Sequence, residues 1–447
     1  MLVVRSHRVV LPEGERAAAL LIDQGVIERI VEYASDDPTG ARVFNVPDLV
    51  ISPGLVDTHV HINEPGRSEW EGFDTATRAA AAGGITTLID MPLNSVPATT
   101  TVAALHAKIE AARAQCHVDV GFWGGLVPGN AGELDGLVDS GVRGFKCFLV
   151  PSGVEEFPAV TEEDLRLALP ILARRDVPLL VHAEDPSCLT HPANSTYPAY
   201  LASRPPQGEL AAIRLMIRLA EEFQTRVHIV HVSSAEAVEA IAGAKAAWVR
   251  ITAETCPHYL TFAADEIPDG AMQYKCAPPI REASHRAALW DGLASGALDL
   301  IASDHSPAPP ALKTPGDFAR AWGGIASLEL SLPATYTSLK AQLSTLKVES
   351  SDLSVRGQLA RWMSAAPASL AGLGERKGRI AEGFDADFVV WDPDAAFTVD
   401  PARLQQRHKL TPYAGRSLFG SVLTTFVRGE RVWDKHRLAR AYGGRLL

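Results

Sequence analysis

The chain has 447 residues, 47% hydrophobic and 21% charged, the balance of a globular protein with a sizeable core, which excludes disorder, collagen and coiled coil as the main architecture. Its 42 Lys+Arg against 53 Asp+Glu leave a formal net charge of −11, so no basic surplus exists for a nucleic-acid backbone or an anionic membrane surface. Five cysteines (Cys116, Cys147, Cys188, Cys256, Cys276) with no C-x-x-C pair read as ordinary reduced thiols rather than a disulfide framework. The opening MLVVRSHRVV breaks its apolar letters with Arg5, His7 and Arg8, and no stretch of 18 apolar residues follows. Neither a signal peptide nor a membrane span is therefore expected, and a cytoplasmic location is.

In chain order, the first 50 residues read as short strands and turns. Between Leu55 and Pro307, apolar or β-branched runs alternate with amphipathic ones, the signature of strand, crossover helix and parallel strand. Eight runs stand out: Leu55 to Ile62, Thr86 to Pro92, Val118 to Gly125, Gly144 to Val150, Pro178 to Glu184, Arg226 to Val232, Arg250 to Tyr259 and Leu298 to Pro307. Segments such as Val102 to Gln115 and Ser234 to Ala247 read as the intervening helices. SPAPPALKTPG at 306 to 316 is a Pro-rich loop after the eighth strand, in the position of an active-site lid, and 340 to 372 reads as helix closing the barrel side. DADFVVWDP and SVLTTFVRGERVWD return to strand.

At roughly 150 residues per domain the length allows about three units, but a (β/α)₈ barrel takes about 250, so a barrel plus a small domain fits equally well. The expected fold is α/β: a (β/α)₈ TIM-type barrel at 53–372 with a small β-sandwich domain formed from both termini, 1–52 and 373–447.

Strand ends carry the chemistry. His59 and His61 in VDTHVHINEPG are two apart and so project to one face of a strand, and the carboxyl ends of barrel strands open onto the active site. A lone H-x-H is weak evidence. His182 ends the fifth run, His231 the sixth and Asp304 the eighth; each alone is more often structural, but four histidines and an aspartate at four corresponding strand ends point to a divalent-metal site. His228 lies three residues before His231 and faces the opposite side, while His258 and His305 are candidates to support the ligands or touch substrate, with a satisfied core histidine as the default for both. Lys146 ends the fourth run, where a buried ammonium is costly unless paired, an interior carboxylate being the ordinary solution.

The combination DTHVHINEPG, GFKCF, LLVHAED, VHVSS and ASDHSP resembles the cyclic amidohydrolases of the amidohydrolase superfamily over essentially the whole chain. The resemblance implies two divalent metals bridged by a carboxylated lysine and by hydroxide: His59, His61, Lys146 and Asp304 on the more buried metal, Lys146, His182 and His231 on the second. Zinc is the first expectation, with cobalt, manganese or iron as alternatives, because imidazole and carboxylate ligands accept all four. Within the group, dihydroorotases carry an arginine where this chain has Asn63, and an amide does not reproduce a bidentate guanidinium grip on a carboxylate. Hydantoinases and dihydropyrimidinases carry a tyrosine soon after the lysine, absent here between Lys146 and Gly153, and a serine where this chain has Ala277. By contrast HINEPGRSEWEGFDTATRAAAAGGITTLIDMPLNSVPATT, FLVPSGVEEFP and DFARAWGGIASLEL resemble the allantoinase branch.

That likeness implies hydrolysis of the cyclic amide of allantoin to allantoate, with Asp304 as the acid/base. Its alternatives are a hydantoinase or dihydropyrimidinase activity and, in another class, a non-catalytic scaffold, which would lack metal ligands. Asn94 and Ser306 are candidates to hydrogen-bond a polar ring, with loop capping as the competing role. Ser152, Gly153, Ala277 and Gly323 are further candidates carried over from the family, with Asn63 beside them, and Trp322 is a candidate to pack over the substrate. A small-molecule substrate, no nucleic-acid or membrane partner, and a homotetramer by resemblance complete the expectations.

Overall fold

The computed structural model describes residues 1–313, 316–342, 355–435, 437–439 and 442–447. Its first strands are β1 (Leu2–Leu11), β2 (Gly14–Asp23), β3 (Val26–Val31), β4 (Arg42–Asn45) and β5 (Val50–Pro53). β2 and β3 are joined by Gln24 and Gly25, both at positive φ (48° and 85°), the two-residue turn whose twist matches a right-handed hairpin.

The eight apolar runs become the staves of a parallel barrel. They are β6 (Leu55–Val60), β7 (Ile85–Asp90), β8 (Asp119–Phe122) with β9 (Gly124–Gly125), β10 (Phe145–Phe148), β11 (Leu179–His182), β12 (Val227–Ile229), β13 (Ile251–Thr255) and β14 (Leu300–Ile301). Every neighbouring pair is parallel, as expected when helices cross back between strands. The third run is split at Trp123, whose backbone N–H donates to the Asp90 carbonyl (3.0 Å) and whose indole N–H donates to the Thr58 carbonyl (2.8 Å). The barrel closes by a parallel bridge of Val60 to His305, with the His61 N–H on the His305 carbonyl at 2.8 Å. Asp57 reinforces this seam: its carboxylate accepts the backbone N–H of Ser303 on both oxygens at 3.2 Å.

The expected helices form at Val102–Ala112, capped by the Thr101 hydroxyl, and at Ala235–Ala246. The seventh run ends as strand at Thr255 and continues as a helical turn, Pro257–Thr261, because proline at a first helical position is already set to helical φ and has no N–H to waste. The Pro-rich loop contains a short 3₁₀ turn, Pro310–Lys313; its Thr314 and Pro315 lie outside the described residues. Of the expected helix over 340 to 372, Ser331–Gln342, Val355–Ala360 and Ala366–Leu370 are helical, the last two joined by a π turn at Arg361–Ala365; 343–354 lie outside the described residues.

From the carboxyl side come β15 (Phe388–Thr398), β16 (Ser417–Val427), β17 (Glu430–Asp434) and β18 (Arg437–Leu438). They join the amino-terminal strands in one nine-stranded sheet of order β18-β17-β16-β15-β5-β1-β2-β3, with β4 beside β1. β15 runs antiparallel to β5, Phe388 opposite Pro53. Alternating side chains such as Val4, Leu20, Ile51, Phe388 and Phe426 enclose an apolar core separate from that of the barrel. No helix among the described residues is long and apolar enough to cross a membrane.

Candidate active site at the carboxyl ends of the barrel strands

A strand with both faces covered points alternate side chains into the barrel. Lys146 pairs in register with Leu180, and Phe148 with His182; Leu180 lies in a core cluster with Ile89, Trp123, Val230 and Leu300. One layer higher, at the strands' carboxyl ends, the polar side chains collect. They line an open cleft of about 480 Å³ whose wall includes His59, His61, His182, His231 and Asp304.

His59 Nε2 stands 3.2 Å and His61 Nε2 3.6 Å from Asp304 Oδ1. His59 lies 5.4 Å from His231, ring centre to ring centre, and His231 lies 4.6 Å from His182. On the far side of His59, Nδ1 hydrogen-bonds Glu254 Oε1, while Glu254 Oε2 binds His228 Nε2 at 3.1 Å. His228 Nδ1 in turn meets Thr252 Oγ1 at 2.8 Å. His182 Nε2 meets Glu184 Oε2 at 2.7 Å, and Glu184 is gripped by the Arg204 guanidinium. These carboxylates fix ring orientation and, by accepting one ring N–H, leave the other nitrogen with its lone pair.

Burial dominates the electrostatics. It lowers His61 to about 4 and depresses His182 and His231, with the Lys146 charge among the further causes for each; all three rings are neutral near pH 7. Burial also pushes Lys146 down to about 8. Burial acts to raise the Asp304 carboxyl, but the neighbouring His59 and His61 override it and hold Asp304 well below the usual carboxylate range. Glu254 and Glu184 are likewise raised by burial yet brought to about 2, chiefly by His59 and Arg204 respectively.

Several buried polar atoms have no hydrogen-bond partner among the described residues: Lys146 Nζ, His61 Nδ1, His231 Nδ1 and both ring nitrogens of His258. A buried polar group left so costs about 1–3 kcal/mol; among these, His61 and His231 line the cleft itself. Among the described residues Lys146 makes no ion pair within 4 Å, the ordinary solution for a buried lysine; Glu254 and Asp304 favour its charge from farther off, and its Nζ sits 4.9 Å from the Phe148 ring.

Asn94, Ser152, Gly153, Ala277, Ser306 and Gly323 also line the cleft. Asn63 does not: it is fully buried, and its amide donates to the Pro307 carbonyl at 3.3 Å. Ser152 Oγ is occupied within its own loop, donating to the Phe157 carbonyl at 2.6 Å. Trp322 forms part of the wall, its ring over Gly153, where an added Cβ would lie 3.5 Å from it, and edge-on to Trp70 at 5.0 Å. His305 is a satisfied core histidine, bonded to Glu71 and to the backbone N–H groups of Ser327 and Leu328, whereas His258, contrary to that expectation, is buried beside Asp304 and Cys256 with no hydrogen-bond partner among the described residues. Glu254, Arg204, Lys275 and Tyr200 are site residues that the strand-end reading passed over. Glu254 carried the same signal as Asp304, an acid at the end of an apolar run; the other three lie in loops or helices with no spacing to mark them.

A family model described as the amidohydrolase family matches residues 50–432. An allantoinase of Streptomyces avermitilis is 51% identical over 434 residues, covering 96% of this chain and 95% of that protein. An allantoinase of Arabidopsis thaliana is 42% identical, covering 98% and 88% respectively. Among solved structures, an L-hydantoinase (dihydropyrimidinase) from Arthrobacter aurescens superposes with a TM-score of 0.92 at 32% identity, over 100% of this chain and 99% of that one. With its barrel, its terminal sheet and the histidine-rich cleft at the strand ends, the chain belongs to the amidohydrolase family.

Proposed function

We propose that the chain hydrolyses the hydantoin ring of allantoin to allantoate, as a metal-dependent cyclic amidohydrolase. The observation that carries the reading is the convergence of His59, His61, His182, His231 and Asp304 in one cleft with an unpartnered buried Lys146 beneath them, in a chain 51% identical to an allantoinase along nearly its whole length.

The donor set fits two divalent cations. Neutral imidazoles, an ionised Asp304 and orphaned buried nitrogens are the state that metal ligands require. His59, His61, Lys146 and Asp304 would hold one cation, and Lys146, His182 and His231 the other. A bridging lysine must be anionic; an amine lowered to about 8 is partly neutral near pH 7 and can add carbon dioxide, releasing a proton and forming an N6-carboxylate with two donor oxygens. Zinc is the preferred metal, with cobalt, manganese or iron compatible with the same donors. When bound, the cations supply a water acidified from pKa 15.7 toward about 7 and polarise the carbonyl under attack.

The protein's own side chains then manage the proton. Asp304, ionised and facing the cleft, accepts one proton of the attacking water and returns it to the ring nitrogen as the C–N bond breaks, leaving a neutral ureido N–H at one end of the opened ring and at the other a carboxylic acid that releases the water's second proton to solvent to become the carboxylate. Asn94 and Ser306 offer side-chain hydrogen bonds to a polar uncharged ring, and Ser152, Gly153, Ala277 and Gly323 offer backbone groups. Asn63 contributes indirectly, by tying the first-strand loop to Pro307.

We also treat 1–52 and 373–447 as one β unit around a barrel of 53–372, since both ends share one sheet, and a cytoplasmic homotetramer as the working form. A second reading, hydantoin or dihydropyrimidine hydrolysis, draws on the likeness to the Arthrobacter L-hydantoinase. Side-by-side assay of allantoin, hydantoin, dihydrouracil and dihydroorotate, with metal analysis of the same sample, separates the two. Preference for any substrate but allantoin removes the specific assignment, and fewer than about one divalent ion per chain after purification with metal supplied removes the metal mechanism.

A further inference from the structure

The outer wall of the cleft is the run Ala319–Gly324, which belongs to no helix or strand. Two lysines hold it. Lys275, in the loop after the seventh strand, donates from Nζ to the carbonyls of Ala319 (3.3 Å) and Ala321. Lys313, at the end of the Pro310–Lys313 turn, donates to the carbonyls of Trp322 (3.1 Å) and Gly324. Both side chains are buried at 7% exposure, and among the described residues neither makes an ion pair within 4 Å. An ammonium buried without a counter-ion is expensive, and an apolar residue of similar length would fill the space more cheaply. What the charges achieve here is saturation of four carbonyls on six consecutive residues. The backbone adds to the frame: Gly324 N–H donates to the Lys275 carbonyl and Trp322 N–H to the Leu312 carbonyl, both at 2.8 Å. Gly324 itself is held at φ 124°, with a Cβ position only 2.3 Å from the Ser306 carbonyl oxygen, so the wall is pressed directly against the strand end that carries Asp304.

The geometry points to Lys275 and Lys313 as positioning residues for specificity: together they fix the Ala319–Gly324 wall so that Trp322 meets the substituent carried by the substrate ring. The assignment rests on the reading of this cleft as the allantoin site, and its substituent is the ureido group that allantoin carries and hydantoin lacks. A specificity wall of this kind discriminates by shape and hydrogen bonding at the substituent, away from the atoms that react.

The test uses the metal-loaded enzyme and the variants Lys275→Met and Lys313→Met, which keep the stem and remove the ammonium. Two quantities are read. In the absence of substrate, amide hydrogen exchange of Ala319–Gly324 should accelerate by about tenfold or more, while exchange at β6 and β14 stays at the wild-type rate. In turnover, KM for allantoin should rise about tenfold or more with kcat within about threefold, and kcat/KM for hydantoin should change less than about threefold, so that the preference between the two substrates collapses. Should methionine at either position prevent folding, Lys275→Gln and Lys313→Gln, which can still donate to one carbonyl, carry the same measurements with smaller shifts. Unchanged exchange in the wall, or an unchanged allantoin-to-hydantoin ratio, overturns the proposal. A wild-type enzyme that ignores allantoin would overturn the functional reading instead, and the exchange measurement would still decide whether the lysines hold the wall.

Discussion

At the amino end of β8, Asp119 meets Asp385 and Asp387, with ligand-capable oxygens all within 4.8 Å of one another. Lys377 stands among them, at 2.8, 3.2 and 2.6 Å, while Arg428 pairs with Asp119 and Arg376 with Asp385. Three carboxylates thus face three cations, and this seam between barrel and terminal sheet closes on itself. The cleft at the opposite end of the strands also gathers acids, histidines and a buried lysine, yet Lys146, His61 and His231 keep nitrogens with no hydrogen-bond partner among the described residues. A charge cluster that satisfies itself is a fastener. One that leaves buried nitrogens unpaired beside a cleft fits the proposed metal site, and the division follows the barrel rule that stability sits at the bottom and chemistry at the top.

Substitutions should separate the two clusters. The largest effect is expected from Lys146→Ala, which should lower kcat by about 10³-fold or more and reduce the divalent metal retained per chain, with partial recovery on adding short carboxylic acids. Near-normal turnover in that variant would end the bridging role. Next, Asp304→Asn should lower kcat by about 10²- to 10⁴-fold with a much smaller change in KM, because it removes proton transfer; a loss confined to KM would contradict this. At the fastener, Lys377→Met should destabilise the fold by about 3–5 kcal/mol in denaturant titration by leaving buried acids uncompensated, while kcat per folded, metal-loaded chain holds. A loss of turnover without a loss of stability would dissolve the contrast.

The smallest effect concerns a carboxyl belonging to neither cluster. Burial raises Glu329 to about 7, although it accepts the Gln405 N–H at 2.6 Å. Because its folded value exceeds the unfolded one, the folded chain binds the extra proton. Its contribution to stability is full below about pH 4.5 and is lost as pH rises through about 7. Glu329→Gln should flatten that part of the stability profile; an unaltered slope from pH 5 to 7 would show that Glu329 ionises normally.

The barrel staves were legible because burial on both faces forces apolar runs and the crossovers force their spacing, as at Leu55–Val60 and Leu179–His182. Strand-end histidines were legible for the same reason: position along a stave fixes height in the barrel. What escaped were partnerships between distant positions. Nothing in RITAET says that Glu254 will meet His59, 195 residues away, since that contact exists only once the barrel closes. Lys275 and Lys313 escaped differently, because backbone carbonyls in a loop have no sequence signature at all. The unoccupied role that sequence did assign to Asn63, contact with the ring, gives way in the structure to a tie across the first and eighth strand loops.

Four residues around the mouth adopt left-handed backbone: His231 (φ 41°), Asp304 (φ 45°), Asn63 and Asn94 (both φ 67°). Side chains branched at Cβ resist that conformation, whereas glycine, asparagine and aspartate accept it. For directed evolution of new ring preferences, most replacements at Asn63 or Asn94 carry a backbone cost of about 1–2 kcal/mol, while Ser152 and Arg320, which line the cleft without a positive φ, leave the search open.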